Sequence, residues 1–111
     1  MKITVYIASP YRIGNKLENV RMQIDAAEEL LKLGFAPHVP LLNHFWDEIY
    51  PHDDKTWLDL DLEFLGMFDC VLRLEGESYG ADKEVERAKL LGIPVFYDIK
   101  ELIRFHKHLN N

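Results

Sequence analysis

The order of strand-type and helix-type patterns along the chain constrains its fold more than any other sequence feature. Four short segments are rich in β-branched and aromatic residues, as buried strands are, and they are 2–8, 35–40, 70–74 and 94–98. Segments with helical periodicity follow them, at 15–33, 57–68, 82–91 and 101–109. In the first of these we expect Asn15 to be the N-cap and a buried stripe of Val20, Ile24, Ala27 and Leu31. Residues 41–56 are predicted to form a long aromatic-rich loop, with or without a helical turn. Because a helix between two strands usually returns the chain to a parallel neighbour, this order of strands and helices predicts a parallel sheet with helices on both faces.

The predicted fold is therefore a small doubly wound α/β fold, flavodoxin-like or Rossmann-like in type, with a parallel sheet of four to five strands flanked by helices. The chain has 111 residues, and we expect residues 1–111 to form a single domain. Ligands of such folds bind beyond the carboxyl ends of the strands, where the strand order reverses. We therefore expect a site among the loops after Ala8, Val39 and Leu74.

Charge and cysteine content narrow the range of partners. The formal net charge is −6, whereas a surface that binds nucleic acid needs a basic face. The single cysteine, Cys70, lies in an apolar segment and indicates a buried thiol in a reducing compartment. The sequence shows neither a signal-peptide pattern nor an apolar run of membrane-spanning length. We predict a cytoplasmic protein that has neither nucleic acid nor a membrane as its partner.

In the helix predicted over 82–91, one of two neighbouring glutamates faces the core. Glu84 precedes Ala88 by four residues and Leu91 by seven, so it shares their apolar stripe. Glu86 lies on the opposite side, where solvent is expected. A carboxylate in the first turn of a helix, partly buried and weakly hydrated, is suited to act as a nucleophile. The alternative is that Glu84 only complements the helix dipole at the edge of the sheet.

A second inward-facing carboxylate is predicted in the helix over 57–68. Asp61 lies on the apolar stripe, four residues after Trp57 and three before Phe64. A buried aspartate must be hydrogen-bonded or line a cavity. Asp61 therefore either caps a neighbouring loop or works with Glu84 in proton transfer or substrate orientation.

Tyr6 lies near the carboxyl end of the first predicted strand. Alternation along this strand puts Ile3, Val5 and Ile7 on one face and Tyr6 on the other. The tyrosine hydroxyl either reaches the crevice at the end of the sheet or belongs to an ordinary core side chain. Elsewhere, the histidines lack the spacing of metal ligands, and the chain has no Walker loop, dinucleotide fingerprint or nucleophile elbow.

Three blocks of sequence contain these candidates: VYIASPYR with Tyr6, DLEFLGMFD with Asp61, and SYGADKEVERAKLLGIPV with Glu84. Together they resemble the nucleoside 2-deoxyribosyltransferase-like superfamily, from the first strand to the fourth. The third block is the most specific, since it combines a glycine-containing loop, the glutamate, a small residue four positions later, and GIPV. Members often have a glycine two positions after the glutamate, where this chain has Glu86.

The resemblance implies an enzyme acting on the N-glycosidic bond of (deoxy)ribonucleosides or their 5′-monophosphates, through a glycosyl-enzyme intermediate. In that reaction Glu84 attacks C1′, Asp61 assists protonation of the leaving base or holds the sugar, and Tyr6 orients the nucleophile. Water or a second base then resolves the intermediate, which makes the enzyme a hydrolase or a transferase. No metal or organic cofactor is implied, and a homodimer or larger homo-oligomer is expected.

The substrate-binding residues implied by the resemblance are Ser9, Arg12, Trp57, Ser78 and Gly80. Relatives that hydrolyse 2′-deoxynucleoside 5′-monophosphates tend to have a serine six positions before the nucleophile, as Ser78 is, whereas transferases tend to have an acid there. Arg12 matches an arginine of those hydrolases, although Pro10 replaces their nearby serine and Ser9 is adjacent. Ser78 and Arg12 are therefore expected to hold a 5′-phosphate. The aromatic segment 44–57, which ends at Trp57, is either a base-stacking lid or ordinary packing.

Two other functions fit the sequence. One is a nucleotide-binding or sensor module that keeps the crevice without catalysis. The other is an NAD-type glycohydrolase that cleaves the same kind of bond, although a chain of 111 residues offers little room for a second nucleotide.

Overall fold

The computed structural model describes residues 2–109, which contain four strands and five helices. In chain order these elements are β1 (Thr4–Ala8), α1 (Lys16–Lys32), β2 (Ala36–His38), a 3-10 turn (Pro40–Leu42), α2 (Asn43–Ile49), α3 (Asp54–Leu65), β3 (Cys70–Arg73), α4 (Tyr79–Leu90), β4 (Val95–Phe96) and α5 (Ile99–Leu109). Of the helices in this part of the chain, none combines the length and apolar composition that a bilayer crossing requires.

The four strands form one parallel sheet in the order β2-β1-β3-β4. Tyr6 in β1 lies between His38 in β2 and Val71 in β3. Pro37, which has no amide hydrogen to give to a ladder, lies in the edge strand β2. The predicted doubly wound parallel sheet is confirmed, with four strands among the described residues.

Alternation along β1 separates two hydrophobic cores, one on each face of the sheet. Val5 and Ile7 pack with residues of α1 and α5, whereas Tyr6 and Ala8 pack with residues of α3 and α4. The buried thiol predicted for Cys70 is confirmed, since its side chain lies in the first of these cores. The helix that follows β1 packs on one face of the sheet, and the helix that follows β3 packs on the other. The crevice of a doubly wound fold therefore opens at the carboxyl ends of these two strands.

The predicted buried stripe of α1, which consisted of Val20, Ile24, Ala27 and Leu31, is wrong in phase. The residues that the helix buries are Val20, Gln23, Ala26 and Leu30, and both Ile24 and Leu31 are exposed. The reason is a polar residue on the inner face. The Gln23 amide donates to the carbonyl oxygen of Ile7 at 3.1 Å, which allows this polar side chain to be buried. A pattern of apolar residues alone leaves Gln23 out and therefore predicts a buried face that is rotated by one position.

Two further expectations about helix faces are also corrected. Leu91 is half exposed because α4 ends at Leu90, which leaves Leu91 as its C-cap. In α3, Leu65 is buried but Phe64 is exposed. The inner face of α3 lies along an open cleft instead of a packed core, and this explains why Asp61 is tolerated there.

Side-chain caps move two helix starts toward the amino terminus. Asp53 accepts from the Thr56 amide at 2.9 Å, so α3 begins at Asp54 and not at the predicted position 57. Ser78 accepts from the Ala81 amide at 3.1 Å, so α4 begins at Tyr79 and not at position 82. The predicted long loop over 41–56 contains α2 and part of the 3-10 turn.

Candidate functional site

Buried polar side chains gather at the point where the strand order reverses. Within residues 2–109, four polar or charged residues are almost fully buried, and they are Ser9, Gln23, Arg73 and Glu84. Ser9 follows β1, Gln23 donates to Ser9 Oγ at 2.7 Å, Arg73 ends β3, and Glu84 lies in the helix after β3. Burying polar groups costs free energy unless they are hydrogen-bonded, so their concentration marks this end of the sheet as a site.

A cleft of about 640 Å³ opens above these residues. Its walls come from the loop after β1, the segment from Pro40 through α2, one side of α3, and the start of α4. The position agrees with the loops after Ala8, Val39 and Leu74 that the sequence predicted. A volume of this size accommodates a small organic ligand.

Tyr6 and Glu84 form a hydrogen-bonded pair at the floor of the cleft. The Tyr6 hydroxyl donates to Glu84 Oε2 across 78 positions of sequence. The tyrosine ring is wedged between His38, with ring centroids 5.7 Å apart, and Phe68, at 5.5 Å. Because the ring cannot turn freely, its hydroxyl fixes one oxygen of the glutamate, and Glu84 also lines the cleft.

Asp61 projects into the same cleft from α3. It is half-buried, and the Asn43 amide donates to its Oδ1 at 3.3 Å. This contact ties α2 to α3 and matches the loop-capping alternative considered from the sequence. Asp61 also lies close enough for its negative charge to raise the pKa values of Tyr6 and Glu84.

Both carboxyl groups are weaker acids than usual. Burial raises the pKa of Glu84 to about 8, against the lowering effects of the Tyr6 hydrogen bond and the Arg73 charge. Burial also raises the pKa of Asp61 to about 7. Near neutral pH the pair therefore retains a proton, held mainly by Glu84 as the weaker acid of the two. Nucleophile-and-acid chemistry requires one carboxylate beside one carboxylic acid, so for Glu84 to attack, this proton has to pass to Asp61.

These pKa shifts make a prediction about stability that requires no substrate. A carboxyl group whose pKa is raised by folding stabilises the protein while it is protonated. For Glu84 this contribution is lost as the pH rises from the pKa of the unfolded state, about 4.5, to the pKa of the folded state, about 8. The amide in Glu84→Gln carries no charge and still accepts from Tyr6. Relative to the parent, this variant should gain about 4 kcal/mol in its free energy of unfolding between about pH 5 and pH 9.

Thermal unfolding at the two pH values measures this difference, and Glu86→Gln is the matched control because Glu86 is exposed. Parallel pH dependence in the parent and in Glu84→Gln would show that Glu84 is not a buried weak acid.

The residues that the resemblance assigned to substrate binding all line the cleft, and they are Ser9, Arg12, Trp57, Ser78 and Gly80. Arg12 is paired with Asp54 at the start of α3, through a hydrogen bond from its Nε at 2.5 Å and a second contact from Nη2. Ser78 uses its oxygen to cap α4, which leaves its hydroxyl hydrogen for a ligand.

Trp57 lies between the cleft and the surface. Its Nε1 donates to Asp47 Oδ1 at 2.7 Å, and its ring packs edge-on against Trp46 and His52, with centroid distances of 5.1 and 5.3 Å. Asp47 also accepts from the His52 amide at 2.8 Å. Packing and hydrogen bonds therefore hold this aromatic segment against α3.

The sequence did not identify several residues that line the cleft or lie buried beneath it. Asn43 and His44 lie on the inner side of α2, where His44 Nδ1 shares a hydrogen bond of 2.6 Å with the Tyr11 hydroxyl. No periodic pattern in a seven-residue helix reveals which side faces a cleft. Gln23 and Arg73 were overlooked although each is a polar residue within an otherwise apolar pattern, which is the signal that could have identified them.

Within residues 2–109, no group of three or more histidine, cysteine, aspartate and glutamate side chains is arranged to hold a metal ion. The polar groups of the cleft instead suit a ligand with several hydroxyl or amide groups. These polar groups include carboxylates, an amide, a histidine and serine hydroxyls. Apolar side chains such as Ile13, Leu41 and Leu58 line the cleft beside them.

The sequence matches a family model described as a domain of unknown function (DUF7768) over residues 3–98, so the chain belongs to that family. No curated protein matches the sequence. Among solved structures, a similar one is that of a 2-deoxyribosyltransferase from the psychrotolerant bacterium Bacillus psychrosaccharolyticus. The two chains are 24% identical with a TM-score of 0.60, and the match covers 83% of this chain and 69% of the other. This likeness shows that the two proteins share the α/β fold.

Proposed function

We propose that this member of the DUF7768 family is an enzyme that cleaves the N-glycosidic bond of (deoxy)ribonucleosides or their 5′-monophosphates. The observation that carries the proposal is the hydrogen bond from Tyr6 to Glu84 at the floor of a cleft that also holds Asp61. The fold shared with a 2-deoxyribosyltransferase supports the substrate class, as do the three sequence blocks that contain these residues.

In the first step, Glu84 attacks C1′ of the sugar. Tyr6 occupies Oε2, so Oε1 is the attacking atom. A bond forms between Oε1 and C1′, the bond between C1′ and the base nitrogen breaks, and its electron pair leaves with the base. The carboxylic acid of Asp61 protonates the base as it departs, and a glycosyl ester on Glu84 results.

In the second step, the ester is resolved with Asp61 now acting as the base. Water that gives a proton to Asp61 attacks C1′, the ester bond breaks, and Glu84 returns as a carboxylate. If a second nucleobase attacks in place of water, the enzyme is a transferase. Two displacements at C1′ retain the configuration of the sugar in either case.

Incubation with purine and pyrimidine deoxynucleosides, with and without a 5′-phosphate, tests the proposal. The expected result is free base, together with an exchanged nucleoside when a second base is supplied. If no base is released, while the compounds still bind, the cleft belongs to a nucleotide-binding or sensor module. Release of nicotinamide from NAD, and not of bases from nucleosides, would favour the glycohydrolase alternative.

Phosphate recognition is the second question at this site. Arg12 and Ser78 both line the cleft, but Arg12 is already paired with Asp54. A 5′-phosphate would have to exchange with this carboxylate, and it would bring two charges in place of one. We therefore propose that Arg12 releases Asp54 when it binds a nucleoside 5′-monophosphate.

The efficiency ratio of monophosphate to free nucleoside measures this recognition. Arg12→Ala and Ser78→Ala should each lower the ratio by about ten- to a hundredfold, since a charged hydrogen bond contributes roughly 1.5–3 kcal/mol. Asp54→Asn should raise it, because Arg12 loses its competing partner. A parent that prefers free nucleosides, or a ratio unmoved by both alanine variants, would rule out the phosphate site.

We also propose that residues 1–111 act as one domain that assembles at least into a homodimer. Exposed apolar side chains on and beside α2 support this assembly. Phe45, Trp46 and Ile49 have the spacing of one helical face, and Leu42 and Tyr50 are exposed at the two ends of the helix. Large exposed apolar patches usually mark interaction sites.

A further inference from the structure

Arg73 is a buried arginine at the end of a strand that is otherwise apolar. Its guanidinium lies beneath the loop from β3 to α4, and every hydrogen bond that it donates goes to this loop or to α4. Nη1 donates to the carbonyl oxygen of Leu74. Nη2 donates to the carbonyl oxygen of Gly76 at 2.9 Å and to Asp82 Oδ1 at 3.0 Å.

The loop that Arg73 holds lies at the carboxyl ends of β1 and β3, which are adjacent in the sheet. Leu74 donates its amide hydrogen to the Ala8 carbonyl at 2.9 Å, which ties the loop to the end of β1. Gly76 has a φ of +122°, and a Cβ there would lie 2.6 Å from Pro10 Cγ. The loop thus runs directly against the segment after β1, with no room for a side chain.

The same contacts reach the nucleophile through α4. Asp82 precedes Glu84 by two residues in the first turns of this helix, so the pair of Arg73 with Asp82 ties these turns to the end of β3. Resting on the function proposed above, we propose that Arg73 is a positioning residue, which holds the loop and the first turns of α4 so that Glu84 points into the cleft, and which supplies a positive charge within electrostatic reach of the Glu84 carboxyl group.

Among the charged and titratable groups that face Glu84, Arg73 contributes a positive charge. Tyr6 faces it from β1, Asp61 from α3 and Arg73 from β3, while the His38 ring of β2 packs at a tilt against Tyr6. Burial and the Asp61 charge raise the pKa of Glu84, whereas the Tyr6 hydrogen bond and Arg73 lower it. Arg73 thus supplies a positive charge that opposes burial.

Three substitutions separate charge from geometry. Arg73→Met removes both the charge and the hydrogen bonds. Arg73→Gln removes the charge, but its amide can still donate to a loop carbonyl. Arg73→Lys keeps the charge but cannot reach all three acceptors from one planar group. Arg87→Met is the matched control, because Arg87 lies exposed near the other end of α4.

Titration of the Glu84 carboxyl carbon by NMR, with the signal assigned by its loss in Glu84→Gln, is the primary measurement. In both neutral variants, Arg73→Met and Arg73→Gln, the pKa of Glu84 should lie about one unit or more above its value in the parent. In Arg73→Lys and Arg87→Met it should lie close to the parent value. If nucleosides are cleaved, the acid limb of the rate profile should move by the same amount in the neutral variants. In Arg73→Lys it should stay in place, with kcat lowered about tenfold by misalignment.

An unchanged Glu84 titration in either folded neutral variant would overturn the proposal. Loss of folding in both neutral variants would assign Arg73 to stability and overturn it as well. Because the titration needs no substrate, failure to release base would count against the proposed function alone.

Discussion

Glu84→Gln is expected to abolish release of free base, with a fall of at least about 10³-fold, because an amide cannot take the place of the carboxylate proposed to form the glycosyl ester. The amide is nearly the same size and still accepts from Tyr6, so the cleft should keep its shape. Glu86→Gln is expected to keep the parent rate within a few-fold, because Glu86 is exposed and pairs with Lys83 at 3.3 Å. Chromatographic separation of free base from nucleoside measures both rates.

Mass spectrometry extends this comparison from rate to mechanism. Rapid quenching of the parent and of Glu86→Gln during turnover should show protein that carries one sugar, whereas Glu84→Gln should carry none. Equal loss of activity from the two substitutions, with both variants folded, would contradict the assignment of Glu84 as the nucleophile. A sugar attached to any other residue would contradict it as well.

Asp61→Asn is expected to lower base release by about 10²–10⁴-fold, the usual contribution of a positioned acid or base. Asparagine is almost isosteric, and its carbonyl oxygen can still accept from Asn43, so packing should survive while proton transfer is lost. Because burial raises the pKa of Asp61 to about 7, the neutral variant should also be more stable than the parent above that pH. The measurement is the rate of base release from nucleosides whose bases are good or poor leaving groups.

The loss in Asp61→Asn should be largest for bases that need protonation to leave. Glu63→Gln, an exposed carboxylate on the same helix, is the control and should act like the parent. If Asp61→Asn keeps activity within a few-fold of the parent, Asp61 serves only to tie α3 to Asn43.

Local sequence patterns determined the elements, the parallel sheet and the choice between the two glutamates. Alternation along β1 correctly placed Val5 and Tyr6 on opposite faces, and helical spacing correctly put Glu84 inside and Glu86 outside. The cap predicted at Asn15 is confirmed by its hydrogen bond from the Glu18 amide at 3.0 Å. The faces follow from the periods of 2 and 3.6 residues of strands and longer helices, and the cap follows from a polar side chain placed just before the helix.

The same reasoning failed where a polar residue faces inward or a helix borders a cleft. The stripe of α1 was misplaced because Gln23 is buried for its hydrogen bonds and not for its hydrophobicity. The apolar stripe of α3 was expected to include Phe64, but Phe64 is exposed, and the part of the helix that holds Asp61 borders the cleft. In both cases the burial of a side chain depends on what lies opposite it, and this is not encoded in the period of its own helix.

Only the tertiary structure decided which polar groups meet. The Tyr6 hydroxyl reaches Glu84, and Arg73 reaches back under its own loop toward Asp82, because β1 and β3 are adjacent and α4 packs across them. Helical spacing suggested Asp61 as a partner of Glu84 and strand alternation made Tyr6 a candidate, whereas the role of Tyr6 beside Glu84 came only from the resemblance. Contacts between residues far apart in the chain depend on strand order and helix packing, so local periodicity specifies the elements while their assembly in space creates the site.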